Sequence, residues 1–256
     1  MAKIQVLIAG VSAAGKSMSL RNLAKDNPKK VAYLSAEAGK STPFANNFTT
    51  LLTGLSHPNQ VFDFFRQVEQ MPEIEYCVLD GFNYLCEMYE TMVVNTATNT
   101  MQAWGQYADF IKSFLQQIVG VSQKKWIILA HNNAELTPQG TYRYYVPIKG
   151  SVAKIGIESY FNVVVYAQRM ELSKIMEMPY NPNLLHITPR DERLGYKHVF
   201  QVQPTKETAD GRIRDLEGMW GDDEIFIDND AELLMNHLES YYNGTLTQTT
   251  TPAVNP

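Results

Sequence analysis

Gly10-Val11-Ser12-Ala13-Ala14-Gly15-Lys16-Ser17 spells G-x-x-x-x-G-K-S, a glycine-framed loop of the kind that cradles phosphate. Its flanks suit that chemistry. Lys3-Ile4-Gln5-Val6-Leu7-Ile8-Ala9 is a short apolar run with β-branched residues and reads as a buried strand. From Met18 to Lys25, Leu20, Leu23 and Ala24 fall at helical spacing, so a helix is predicted after the loop. Gly10 and Gly15 can take backbone angles that a side chain forbids, letting successive N–H groups face phosphate oxygens. Gly10, Val11, Ser12, Ala13, Ala14, Gly15, Lys16, Ser17 and Met18 are the nucleotide-binding candidates. Lys16 is expected to reach the β and γ phosphates, and the Ser17 hydroxyl to coordinate Mg²⁺.

Outward from the loop, the chain alternates strands and helices. Val31 to Ser35 reads as a second strand, with Glu37 just beyond and a loop containing Gly39, Ser41 and Pro43 after it. Asn59 to Val68 reads as a helix with Val61, Phe64, Phe65 and Val68 on one face. Glu75 to Asp80 is a third strand ending in an acid, and Trp126 to Ala130 a fourth, ending at His131. Helices are expected from about Tyr84 to Thr100, from Gln106 to Val119 and from Asp230 to Tyr242. Ser151 to Tyr160 suggests a helix, while Phe161 to Gln168 and His198 to Val202 suggest strands. This order predicts an α/β fold: a mostly parallel central sheet with helices on both faces. Ligands in such sheets sit beyond the carboxyl ends of the strands, where Gly10, Glu37, Asp80 and His131 all fall.

Composition sets the bounds. The chain has 256 residues, 45% of them apolar, and a net charge of −5. One α/β domain over 1–242 accounts for the patterned sequence, and the Thr-, Asn- and Pro-rich stretch 243–256 reads as a disordered tail. The acidic balance argues against coating duplex DNA by general electrostatics. There is no apolar run long enough to span a membrane, and no signal peptide, so a cytoplasmic location is expected, in a bacterium or a phage-infected host cell. Cys77 and Cys86 read as buried thiols in a reducing compartment.

The remaining chemistry follows from strand ends. Asp80 is placed to hold a water of the Mg²⁺ shell; its alternative is a cap before Gly81. Glu37 can orient and deprotonate a water, or be a solvated loop acid. His131 can contact the γ phosphate, or simply bond at its strand end. Glu37, Lys16 and His131 are therefore the catalytic candidates, Ser17 and Asp80 the metal candidates, and MgATP the expected ligand.

With these residues in hand the chain resembles the RecA-like ATPases, and within them the small phage-encoded proteins of single-strand annealing and recombination. The likeness rests on Gly10 to Ser17, Leu34-Ser35-Ala36-Glu37, Val78 to Leu85, and Leu129-Ala130-His131-Asn132. A later pattern adds to it: Gln203-Pro204-Thr205-Lys206, Gly211-Arg212 and Gly218-Met219-Trp220. RecA itself often carries Gln where this chain has His131, and has an additional N-terminal segment for docking its neighbours. The resemblance implies ATP hydrolysis between subunits of a ring or filament acting on single-stranded DNA, with a single-strand-binding protein as a candidate partner. It also implies that the loop from Asn132 to Gly150 binds the DNA. Tyr142, Tyr144 and Tyr145 could stack on bases, and Arg143 and Lys149 could meet phosphates; alternatively, the tyrosines pack on their own protein. RecA-like sites are often completed by a neighbour's cation, for which Lys206, Arg212, Arg190 and Arg193 are candidates; the alternative for each, and the commoner reading, is a solvated surface charge. Two other functions fit the loop: a P-loop nucleotide or small-molecule kinase, and an assembly factor switched by ATP without DNA.

Overall fold

The apolar run before the glycine loop forms β1 (Gln5–Ala9), all five residues buried. In the computed structural model, which describes residues 3–37, 40–52 and 54–246, it lies inside a seven-stranded sheet. After β1 come β2 (Val31–Ser35), helix α1 (Gln60–Glu69) and β3 (Tyr76–Asp80). Helices α2 (Phe82–Tyr89) and α3 (Thr100–Ser113) follow, then β4 (Lys125–Ala130). A small hairpin pairs β5 (Asn133–Leu136) with β6 (Tyr142–Tyr145). The chain closes with β7 (Val163–Glu171), short helices α4 (Leu172–Met176) and α5 (Pro189–Leu194), β8 (Tyr196–Gln201), β9 (Phe226–Asp228) and α6 (Ala231–Tyr242).

The strand order is β2-β3-β4-β1-β7-β8-β9. The first five strands are mutually parallel, and β8 and β9 extend the sheet antiparallel. The α/β class and mostly parallel sheet agree with the sequence pattern. Because successive side chains on a strand point to opposite faces, β1 feeds two cores. Leu7 and Ala9 join the core beneath α1, α2 and α3. Ile4, Val6 and Ile8 join the core beneath α6 and the turn after the glycine loop. In α1 the four predicted residues Val61, Phe64, Phe65 and Val68 are the buried ones.

Local departures have local causes. The predicted helix after the loop is a 3₁₀ helix over Ser17–Asn22. The Ser19 hydroxyl bonds back to the Lys16 carbonyl at 2.6 Å, an alternative to helical pairing of the kind serine offers. The predicted helix of 84–100 ends in a π-helical turn at Glu90–Val94, and α3 begins afresh at Thr100 with Asn99 as its cap. Between them Thr96 bonds back to the Met92 carbonyl at 2.7 Å. The helix predicted to start at Gln106 thus starts a turn and a half earlier, and continues as a π-helical turn over Phe114–Val119. The helix predicted for 151–160 is two 3₁₀ turns separated at Gly156.

The end of β9 and the start of α6 are strapped to the turn after the glycine loop. Arg21 donates to the Asn229 carbonyl at 3.0 Å, the Asn22 amide bonds Asp230, and the Ala24 N–H bonds Glu232 at 2.9 Å. Residues 243–246 fold back on α6, where the Thr245 and Leu246 N–H groups meet the Ser240 carbonyl. The rest of the predicted tail, 247–256, lies outside the described residues, as does Gly39. Cys77 and Cys86 are buried free thiols. Among the described residues no helix is long and apolar enough to cross a membrane.

Candidate functional site

The glycine loop leaves β1 with little freedom. The Gly10 N–H bonds the Ala130 carbonyl at 3.1 Å, and the Asn132 N–H approaches the Gly10 carbonyl at 3.4 Å. A Cβ on Gly10 would stand 2.5 Å from the Ala167 carbonyl oxygen of β7, so only glycine fits. Gly15 has φ +94°, where side chains are strained. Ala13 is also left-handed, at φ 60°. A non-glycine residue held there costs about 1 kcal/mol or more, so the surrounding contacts impose the shape. One is the His198 ring of β8, 3.2 Å from the Ala13 carbonyl. Val11, Ser12, Ala13 and Met18 are exposed, and Ala14 is buried.

Lys16 is folded back into its own loop. Its ammonium donates to the Gly10 carbonyl at 2.7 Å and the Val11 carbonyl at 3.0 Å, and lies 3.5 Å from His131 Nδ1. Burial lowers its pKa to about 8, against the pull of Asp80 and Glu37. A buried cation resting on neutral carbonyls is poised for an anion.

Asp80 ends β3 and is 4% exposed. It accepts a hydrogen bond from the Tyr33 hydroxyl at 2.9 Å and another from Ser17. Burial raises its pKa, and both hydrogen bonds oppose that rise. Glu37 is held close by: the Ala36 N–H bonds the Asp80 carbonyl at 2.8 Å, and a Cβ on Gly81 would touch Glu37 Cγ at 3.0 Å. The Glu37 carboxylate is ion-paired to Lys40. His131 is fixed from β4: its backbone N–H donates to Asn83 Oδ1 at 2.7 Å, and its ring meets Tyr84 edge-on. Burial first, then Lys16, lowers its pKa, favouring a neutral imidazole that can accept a proton or hydrogen bond.

Lys16, Ser17, Asp80, Glu37 and His131 thus converge at the carboxyl edge of the sheet. Among the described residues no group of three or more His, Cys, Asp or Glu is placed to hold a metal. Ser17 and Asp80 are hydrogen-bonded neighbours; a Mg²⁺ there would take the Ser17 hydroxyl directly and reach Asp80 through a water, with phosphate and water as its other ligands, its usual preference.

The hairpin β5–β6 occupies most of the loop expected to bind DNA. Tyr142 is 43% exposed, and Arg143 is exposed opposite Glu135. Tyr144 turns inward onto Tyr166, with ring centroids 5.3 Å apart, and its carbonyl accepts from the Tyr166 hydroxyl at 2.8 Å. Tyr145 lies beneath the Arg212 guanidinium, and Lys149 pairs with Glu90 at 2.7 Å. Tyr142 keeps an exposed edge while stacking on Tyr144, with ring centroids 6.2 Å apart, and Arg143 is exposed on the opposite face of the strand; the other three candidates are engaged within the chain.

The four candidate cations divide similarly. Arg212 pairs at 3.0 Å with Glu158, whose side chain is buried. Lys206, Arg190 and Arg193 are exposed and form no ion pair among the described residues. The two arginines stand on α5, in the insertion between β7 and β8.

Sequence reasoning missed Tyr33, Lys40, Asn83, His198 and Asn229. Asn83 lay within the quoted Val78–Leu85 stretch; the other four come to the loop only through sheet register or an ion pair. No protein-family model matches the chain, and none of the curated proteins matches it.

Proposed function

We propose that this chain is a RecA-like P-loop ATPase that binds MgATP on the Gly10–Ser17 loop and acts on single-stranded DNA. Its task would be recombination, annealing or replication, in a phage-infected or bacterial cytoplasm. The observation that carries the reading is the meeting of Lys16, Ser17, Asp80, Glu37 and His131 at one sheet edge, beside a loop with left-handed backbone at Ala13 and Gly15.

Each residue then has a role. Lys16 leaves the Gly10 and Val11 carbonyls for the β and γ phosphates. Ser17 would hold a magnesium ion directly and Asp80 would hold it through a water, and the ion would neutralise charge on the phosphate oxygens. Glu37 orients the attacking water and takes its proton. His131 borders the γ-phosphate position from β4 and joins it to the hairpin that begins two residues later. Tyr142 and Arg143 offer an exposed aromatic and an exposed cation, the pair of features that single-strand binders use. Subunits assemble into a ring or filament, and Lys206, Arg190 or Arg193 reaches the neighbour's nucleotide.

The test is steady-state ATP turnover with single-stranded DNA, duplex DNA or a nucleoside monophosphate, with Lys16→Ala as the blank. Stimulation by single-stranded DNA alone is expected. Stimulation only by a monophosphate would make the chain a kinase. A slow rate indifferent to all three would make it a nucleotide-switched assembly factor.

A further inference from the structure

One cation at this site belongs to none of the roles above. Lys40 lies beyond the end of β2, with its side chain 69% exposed and its ammonium paired to the Glu37 carboxylate. With the lysine exposed and only the carboxylate mostly buried, such a pair contributes little stability. Its position matters more. Glu37 Cγ lies 3.0 Å from where a Cβ on Gly81 would stand, directly after Asp80. The ammonium paired to Glu37 is therefore held beside the strand-end acids, on the side where a terminal phosphate would meet them.

Two physical constraints meet there. A carboxylate beside a phosphate repels it unless a cation lies between them. A lysine ammonium on a four-carbon stem is a point charge with three rotatable donors, able to exchange one oxyanion for another. We infer that Lys40 is a phosphate-responsive cation acting within its own subunit: its ammonium exchanges the Glu37 carboxylate for the γ phosphate when ATP binds. The inference rests on the ATPase reading. Release of Glu37 then coincides with arrival of the substrate. The water oxygen bonds to the γ phosphorus while the bond to the bridging oxygen breaks, that oxygen keeping the electron pair as ADP leaves. Glu37 takes the proton from the water and later yields it to solvent. Lys40 and Lys16 together balance the charge on the transferring group.

The experiment compares the full chain with Lys40→Met, Lys40→Arg and Lys16→Ala, reading kcat and KM for ATP and the affinities for ADP and for a non-hydrolysable ATP analogue. Lys40→Met is expected to lower kcat by about a hundredfold, the scale on which removing one transition-state donor acts. ADP affinity should stay unchanged, while preference for the triphosphate analogue over ADP falls by about tenfold. Lys40→Arg should recover most of both losses. If Lys40→Met keeps wild-type kcat and wild-type preference while Lys16→Ala is inactive, Lys40 has no such role and the ATPase reading stands. If wild-type nucleotide binding is indifferent to Lys16→Ala, both fail.

Discussion

The Tyr33 hydroxyl, at the middle of β2, donates a 2.9 Å hydrogen bond to the Asp80 carboxylate at the end of β3. Burial raises the Tyr33 pKa, so the phenol remains a donor. Asp80, buried by the sheet, needs such donors to stay ionised. Tyr33→Phe removes one of them. It should destabilise the protein by about 1–2 kcal/mol in urea unfolding. The acid limb of kcat/KM should also move to higher pH, because the ionised form of Asp80 has lost a partner. A variant with wild-type stability and an unmoved acid limb would remove Tyr33 from the site.

Gly10 and Gly15 fail differently. Gly10→Ala forces a methyl group against the Ala167 backbone, 2.5 Å away, which neither strand can yield cheaply. A loss of about 1–3 kcal/mol is expected, with nucleotide affinity down at least about tenfold. Gly15→Ala meets softer side-chain neighbours, and its penalty comes from φ +94°. Thermal melts with and without MgATP separate the two: the ligand-induced rise in Tm should vanish in Gly10→Ala.

Lys16 sets a pH signature. Its pKa, lowered by burial to about 8 in the empty protein, lies below the ordinary 10.5. Between those values the unfolded chain binds more protons than the folded one, so stability of the empty protein should rise with pH across that window. Phosphate favours the ammonium, so MgATP binding near pH 8.5–9 should take up a proton. Calorimetry in buffers of differing ionisation enthalpy measures that uptake, and Lys16→Met should abolish both effects. An uptake that persists in the variant would assign the proton elsewhere.

The hairpin separates binding from packing. The double variant Tyr142→Ala with Arg143→Ala removes the exposed aromatic and the exposed cation and should weaken single-strand affinity by about 1–3 kcal/mol, with loss of the Tyr142–Tyr144 stack costing only about 1 kcal/mol of stability. Tyr144→Ala removes the ring packed on Tyr166 and should destabilise the fold by about 1–3 kcal/mol. Unchanged affinity in the double variant would move the DNA site off this hairpin.

Arg212 and the free cations make a complementary pair of tests. Arg212→Ala leaves the buried Glu158 carboxylate with the Val146 N–H at 2.6 Å but no cation, and should cost about 1–3 kcal/mol in stability. Arg190→Ala, Arg193→Ala and Lys206→Ala should leave stability nearly untouched. If one of them acts on a neighbour, mixing it with the Lys16→Ala chain should restore part of the ATP turnover. No restoration from any of the three would place the completing cation elsewhere.

The sequence made the sheet legible where periodicity was long enough to read. The strands carrying Ala9, Ser35, Asp80 and Ala130 and the buried face of α1 follow directly from their apolar patterns. The glycine loop and the strand-end acids followed from motif spacing. What remained hidden depended on pairing between distant segments. Phe226–Asp228 is three residues long, too short for a period, and becomes a strand only because Val199–Gln201 lies beside it. Tyr33 reads as a core residue until β2 is set against β3 in parallel register. The hairpin carried a turn signal in Pro138-Gln139-Gly140, but the exposed residues of β5 gave no alternating pattern to match it. Lys40 gave no sign of its partner, since a spacing of three residues outside a patterned helix does not bring two side chains together by itself.

The strap between the start and the end of the described chain imposes an order on biosynthesis. Arg21, Asn22 and Ala24 find their partners at Asn229, Asp230 and Glu232, residues translated some 208 positions later. A ribosome-bound chain can pair β1 with β4 long before then, yet the turn behind Lys16 still lacks its backing. The turn behind the glycine loop is therefore backed last, so truncated translation products would carry an intact G-x-x-x-x-G-K-S motif without the buttress that holds it.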